Sequence, residues 1–241
     1  MLRDKTKNRR HKRVFRHYSE SGSEPGALEI HPDLAKYGTQ LIITVYNQNE
    51  LFEHEISNLD EVANYLKTYP VTWLRVYGLG NVNILQSISE TFGLHKLAME
   101  DVVHTHQRPK VEEYDDIKFA VTRLPYFEEN ESDLEQVSIF WGKNFVITFN
   151  ERPSDCLNPL VLQIQSNIRR RHLMKPEFLT YSIIDTIVDS FFPILEAYGL
   201  DLDNNTPSDE SNFSNYMIYN NSEDPKKIEI RPNPMKDINM D

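Results

Sequence analysis

The order of apolar and polar positions along the chain changes repeatedly between the period of a strand and the period of a helix. Runs rich in β-branched and aromatic residues predict strands at 41–46, 71–79, 117–127, 135–142 and 144–150. Segments whose apolar residues recur every three or four positions predict helices at 57–70, 81–93, 156–172 and 176–192. Strands mixed with helices indicate an α/β layered domain rather than an all-helical bundle.

Local signals mark the ends of several of these elements. Pro70 follows the first helical pattern and stops it, and Gly93 is suited to cap the end of the second. Gly142 and Lys143 separate two strand-like runs by almost nothing, which predicts a hairpin turn.

The chain divides into three parts by composition. Residues 1–24 predict a disordered basic arm, either simply solvated or attracted to an anionic membrane surface or a nucleic acid. Residues 25–198 carry the folded pattern. Residues 199–241 are rich in Asn, Ser, Asp and Pro and have no sustained apolar period, so we expect a poorly ordered tail.

Charge and cysteine content narrow the classes of partner. A formal net charge of -11 over 241 residues argues against nucleic acid as a general partner and favours cations. The single cysteine, Cys156, excludes an internal disulfide and a cysteine-rich zinc site. The most apolar long segment, 178–200, is interrupted by Asp185, Asp189 and Pro193, so we expect no transmembrane helix and a soluble chain.

The stretch LAMEDVVHTHQRPKVEEYDD, residues 97–116, concentrates the candidate chemistry. His104 and His106 alternate, but zinc needs three or four ligands and no others stand at motif spacing. No nucleophile elbow, zinc-protease helix, phosphate loop or dinucleotide fingerprint is present, so we expect no enzyme activity. The run EEYDD, 112–116, is interpreted as a solvated face preceding a strand.

The carboxylates indicate a metal site more strongly than the histidines do. Glu100 and Asp101 follow an apolar turn at the end of a helical stretch, and Tyr181, Asp185 and Asp189 share one face of a later helix. Acids on an apolar helix require a partner, and hard cations such as Mg²⁺ take oxygen ligands. The alternative is that these aspartates pair with basic residues, such as the arginines at 169–171, or face solvent.

Three strings together resemble the cytoplasmic domain of CorA-type magnesium/cobalt channels. They are TFGLHKLAMEDVVHTHQRPKVEEYDD, EQVSIFWGKNFVITFNE and LTYSIIDTIVDSFFPILE, in an order consistent with the family over roughly residues 25–198. Lys96 stands where the family usually has proline. The resemblance implies a three-layer α/β/α sandwich with a mixed central sheet, followed by helices, that assembles as a pentamer on the cytoplasmic side of the cell membrane.

The resemblance also implies the metal ligands. Glu100 and Asp101 match the acidic pair of the family's regulatory sites, Asp185 matches an aspartate that shares one of them, and Asp189 matches a further acid. Regulatory Mg²⁺ or Co²⁺ would bind between subunits and favour the closed channel. The segment HTHQRPK is expected to connect a helix to a strand, with Arg108 and Lys110 placed to pair with acids and Pro109 fixing the turn.

After Ala197 the chain leaves the family pattern. No charged stalk helix, transmembrane pair or Gly-Met-Asn selectivity motif follows, so we expect that this chain alone does not conduct ions. Two hypotheses remain open at this stage: a cation-sensing domain of a magnesium/cobalt transporter, and a stand-alone interaction or regulatory module that has lost transport.

Overall fold

The computed structural model describes residues 28–128, 131–166, 175–196, 216–220 and 228–232. The predicted basic arm, 1–24, lies outside the described residues, as does most of the predicted tail. The arginines at 169–171 also lie outside them.

A seven-stranded mixed sheet forms the centre of the domain, with strand order β2-β1-β3-β7-β6-β5-β4. The strands are β1 Gln40–Tyr46, β2 Leu51–Ile56, β3 Val71–Tyr77, β4 Lys110–Tyr114, β5 Ile117–Glu128, β6 Glu131–Trp141 and β7 Phe145–Asn150. The helices are α1 Val62–Thr68, α2 Val82–Phe92, α3 Lys96–Val103, α4 Asn158–Ser166 and α5 Pro176–Asp189, with a short 3-10 turn at Leu34–Lys36. Neighbouring strands are antiparallel except β3 and β7, which run parallel.

One face of the sheet is covered by α1, α2 and α3. Leu85 and Ile88 of α2 and Met99 of α3 are buried together with Leu74 and Ile147 of the central strands. Because successive side chains of a strand point to opposite faces, the neighbours of these strand residues face the other way.

The second face of the sheet is covered by α4 and α5. Trp73 and Val146 pack there with Ile164 of α4 and with Leu179 and Ile183 of α5. Strands β3 and β7 are therefore buried on both faces along their whole length, as expected for central strands between two helical layers. The three-layer α/β/α sandwich predicted from the sequence is confirmed.

Most elements lie where the periodicity places them, and Gly93 ends α2 with a left-handed φ of 67°. Two strands were missed, β2 and β4, because each is a short edge strand that buries few side chains: β4 alternates between half-buried and exposed positions, and β2 buries only Ile56. The run EEYDD precedes a strand, β5, as interpreted, and Glu113, Asp115 and Asp116 are exposed, but its first half is itself part of a strand that the sequence analysis missed. Glu112, Glu113 and Tyr114 belong to β4 itself, and Asp115, with φ 52°, makes the turn into β5.

The acidic pair also lies in a different setting from the one predicted. The preceding helical stretch ends at Gly93, and Glu100 and Asp101 lie in the second half of a separate helix, α3. His95 caps this helix, because its Nδ1 accepts a hydrogen bond from the Leu97 N–H at 3.3 Å.

One helix in the described part of the chain, Pro176–Glu196, is long and apolar enough to cross a membrane by length and composition. This is weak evidence, since a core helix of a soluble protein meets the same criteria. Here Leu179, Ile183 and Ile187 of the helix are buried against the sheet. The prediction that the segment is not a membrane span stays a prediction.

Two further strands, β8 Tyr216–Asn220 and β9 Ile228–Pro232, pair antiparallel as a separate two-stranded sheet. The sequence analysis placed no element in this region.

Candidate metal site on helix α3

Helix α3 presents the two predicted ligands toward the outside of the domain. Ala98, Met99 and Val102 are buried against the sheet and fix the rotation of the helix about its axis. Glu100 and Asp101 consequently lie at its half-buried margin, with 27% and 19% of their side chains exposed. Both carboxylates can be reached from solvent.

Asp101 is the acceptor of a strong ion pair. The Lys110 ammonium donates to Asp101 Oδ2 at 2.7 Å and to Glu112 Oε1 at 3.0 Å. Lys110 is the first residue of β4, and Glu112 lies two residues further on the same face of that strand. The pairing of Lys110 with acids was predicted and is confirmed. Arg108 is exposed and forms no ion pair with any described residue.

The contact between Lys110 and Glu112 shifts the pKa of both residues. Burial acts to lower the pKa of Lys110, but the hydrogen bonds to Asp101 and Glu112 outweigh it, so the pKa is raised. The hydrogen bond from Lys110 lowers the pKa of Glu112, and the Tyr114 hydroxyl, donating at 2.9 Å, acts in the same direction. The Tyr114 ring in turn stacks on His95, with ring centroids 4.4 Å apart. At neutral pH the cluster holds two carboxylates and one ammonium.

Two residues that sequence reasoning missed hold the connector between α3 and β4. The Arg123 guanidinium, on β5, donates to the main-chain oxygens of Thr105 at 2.8 Å and Gln107 at 2.6 Å. Gln136, on β6, donates from Nε2 to the Asp101 main-chain oxygen at 2.8 Å and accepts from the Gln107 N–H at 3.1 Å. Neither has a local sequence signal, because each reaches the connector only after the sheet has formed.

The histidines do not assemble a zinc site in the described part of the chain. His104 Nδ1 lies 3.9 Å from Glu100 Oε1, while His106 is exposed. No group of three or more His, Cys, Asp or Glu side chains that could hold a metal ion is found among the described residues. The two adjacent carboxylates nevertheless suit a hard cation, since Mg²⁺ commonly keeps several waters and uses one or two carboxylates.

Asp185 lies on the opposite side of the sheet from Glu100 and Asp101. Together with Tyr181 and Asp189 it forms the exposed side of α5, opposite the buried Leu179 and Ile183. Neither aspartate forms an ion pair with a described residue. Helix α5 packs on one face of the sheet and α3 on the other, so Asp185 and the acidic pair lie in different layers of the domain.

Comparison with known proteins assigns the chain to a class of divalent-cation transport proteins. The family described as "CorA-like Mg2+ transporter protein" matches residues 70–205, more than half of the chain. The chain belongs to the CorA-like Mg²⁺ transporter family, which is a family of transporters rather than enzymes.

The cobalt/magnesium transport protein CorA of Thermotoga maritima is 29% identical over 187 residues, which cover 77% of this chain and 53% of that protein. The chain therefore spans about half the length of this curated relative.

Solved structures share the fold. The soluble domain of CorA from Methanocaldococcus jannaschii aligns with a TM-score of 0.52 at 17% identity, covering 69% of this chain and 62% of that one. The ZntB cytoplasmic domain from Vibrio parahaemolyticus aligns with a TM-score of 0.51 at 16% identity, covering 74% of this chain and 69% of that one. At these identities the likeness supports the three-layer architecture alone.

Proposed function

We propose that this chain is the cation-sensing cytoplasmic domain of a CorA-like Mg²⁺/Co²⁺ transporter, on the cytoplasmic side of the cell membrane. A regulatory divalent cation, Mg²⁺ or Co²⁺, binds between subunits of a homo-oligomer, with Glu100 and Asp101 from one subunit and Asp185 from its neighbour. In the transporter, occupation of this site gates transport.

The observation that carries the proposal is the placement of the acids in different layers of the domain. Asp185 lies on the outer surface of the α5 layer, whereas Glu100 and Asp101 lie on α3 across the sheet. A site that uses all three residues is therefore built from two copies of the chain. A head-to-tail interface, which joins one surface of a protomer to a different surface of the next, brings such residues together and forms a ring when the rotation between subunits closes.

The mechanism follows from charge. Each copy carries a formal net charge of -11, so acidic surfaces that face each other repel. A divalent cation between the carboxylates removes that repulsion and adds ligand bonds, which favours the closed assembly. At low cation concentration the interface loosens, and in a transporter this loosening opens the pathway.

Cation binding is tested by the melting temperature and solution mass of the chain in EDTA and in about 10 mM MgCl₂. A site with a Kd on the order of 1 mM contributes roughly 1.4 kcal/mol under these conditions. Asp101→Asn and Asp185→Asn should each remove the Mg²⁺ response. Asp116→Asn, in the turn after β4, makes the same charge change away from the site and serves as the control.

Mixing the two inactive variants tests whether the site lies between subunits. In a ring assembled from equal amounts of Asp101→Asn and Asp185→Asn chains, about a quarter of the interfaces combine the intact Asp101 of one chain with the intact Asp185 of the next. The mixture should therefore regain part of the Mg²⁺ response. A Mg²⁺ response that survives both substitutions, or no response in the wild type, would contradict the proposal.

A further inference from the structure

The Lys110 ammonium is hydrogen-bonded to the Asp101 carboxylate, which is one of the ligands of the proposed cation. It lies 2.7 Å from Asp101 Oδ2 in a partly buried position, with 28% of the lysine side chain and 19% of the aspartate side chain exposed. Charge-assisted hydrogen bonds of this length are among the stronger ones in proteins. A divalent cation that coordinates Asp101 therefore competes with a cation that is covalently part of the chain.

The structure also supplies a place for the lysine when a metal ion arrives. Lys110 contacts Glu112 at 3.0 Å in addition to Asp101, and Lys110 and Glu112 both extend from β4. The backbone of β4 is held by its pairing with β5, in which Lys110 lies opposite Val121. The ammonium can release Asp101 and keep Glu112 without any change in the strand.

We propose that Lys110 is a built-in competitor for the regulatory cation: its ammonium neutralises Asp101 in the metal-free chain, moves to Glu112 on metal binding, and so sets the cation concentration at which the site fills. This inference rests on the proposed function, because it concerns the same site. Glu112 acts as the acceptor that makes release of Asp101 possible, and its effect on the cation passes through Lys110.

The inference predicts changes of opposite sign for two neighbouring residues. Lys110→Met removes the competitor, so the Mg²⁺ concentration that gives half of the melting-temperature shift should fall by about three- to tenfold. Glu112→Gln removes the negative charge that competes with Asp101 for Lys110 and so leaves the ammonium on Asp101, which means that this concentration should rise. Lys110→Arg keeps the ion pair and should stay at or above the wild-type value.

A matched control exists one strand away. Lys118, on β5, pairs with Glu113 at 3.4 Å on the exposed surface. Lys118→Met makes the same change in net charge without touching Asp101, so its Mg²⁺ dependence should equal that of the wild type. Titrations are made at constant ionic strength, with NaCl replacing MgCl₂, because screening alone weakens exposed ion pairs.

The double variant separates a competitor from a ligand. If Glu112 acts only through Lys110, the chain with both Lys110→Met and Glu112→Gln should have the Mg²⁺ dependence of Lys110→Met alone. A weaker response in the double variant than in Lys110→Met would make Glu112 a metal ligand and overturn its role as the lysine's acceptor.

A metal-free cycle gives a second readout. In EDTA, the unfolding free energies of wild type, Lys110→Met, Asp101→Asn and the double variant should reveal a favourable coupling between the two side chains. Absence of coupling would overturn the inference even where the Mg²⁺ titration moves.

The possible failures are distinguishable. A wild-type Mg²⁺ response that depends on Asp101 but is unchanged in Lys110→Met, or changed no more than in Lys118→Met, overturns the lysine inference and leaves the proposed function standing. Absence of any Asp101-dependent response in every variant refutes the proposed function, and the inference with it.

Discussion

Glu135 provides a sharp test of the packing on the second face of the sheet. Its side chain, in the middle of β6, is only 2% exposed, and Arg152 Nε lies 3.3 Å from its Oε2. Burial raises the pKa of Glu135 to about 8, the neighbouring Glu151 acts in the same direction, and Arg152 opposes them. Burial raises the pKa of the nearby Cys156 thiol to about 12, and Glu135 acts in the same direction.

The direction of the pH dependence follows from where the proton binds. A carboxyl whose pKa is about 8 in the folded chain and 4.5 in the unfolded chain keeps its proton in the fold over the window between them. Stability then falls as pH rises through this window and levels off above it, with a slope of about 1.36 kcal/mol per pH unit.

Glu135→Gln removes the free-energy cost of ionising this buried carboxyl and keeps the size of the side chain. The difference in unfolding free energy between the variant and the wild type should shift by about 3 kcal/mol in favour of the variant as the pH rises from about 5.5 to about 9. The difference between the two chains isolates Glu135, because the other titrating groups are present in both.

Urea unfolding followed by circular dichroism across this pH range measures the effect. The same substitution at the exposed Glu113 controls for loss of a surface charge. A difference between wild type and Glu135→Gln that does not grow toward alkaline pH would refute the reasoning, and one that is independent of pH would mean that Arg152 keeps Glu135 ionised throughout.

Two further predictions concern backbone geometry and the connector. Gly78 and Gly93 both have a positive φ, and for Gly93→Ala this alone should cost about 1 kcal/mol of stability. Gly78→Ala should cost far more, because a Cβ at Gly78 would also lie 2.5 Å from the Gly38 carbonyl oxygen. Equal costs in urea unfolding would contradict this. Arg123→Met should cost about 2–3 kcal/mol and increase amide exchange in the connector, because the carbonyls of Thr105 and Gln107 lose a charged donor. Unchanged exchange there would mean that the connector is held by other contacts.

Sequence reasoning worked best where the signal is local. Strand β7, whose six residues are all buried, was readable from an uninterrupted β-branched and aromatic run. Helix α2 was readable from its apolar period and from Gly93. The edge strands β2 and β4 were not, because an edge strand is only half covered and its apolar pattern is correspondingly weak.

Some residues of the candidate site could also be predicted from the sequence, and others could not. The sequence indicated Glu100, Asp101 and Asp185 as ligands through a family resemblance, and that assignment stays a prediction. It also anticipated that Lys110 would meet acids, because the residues lie close together along the chain. It gave no indication of Arg123 or Gln136, which come from strands β5 and β6 and reach the connector across the sheet.

What the sequence determined by itself is the layered α/β class and the identity of its acidic positions, because periodicity and residue chemistry are properties of neighbouring residues. Only the tertiary structure decided that α3 and α5 cover opposite faces of the sheet, and that one ammonium lies between two carboxylates. The physical reason is that strand order and helix side depend on contacts between residues far apart in the chain. No local pattern records those contacts.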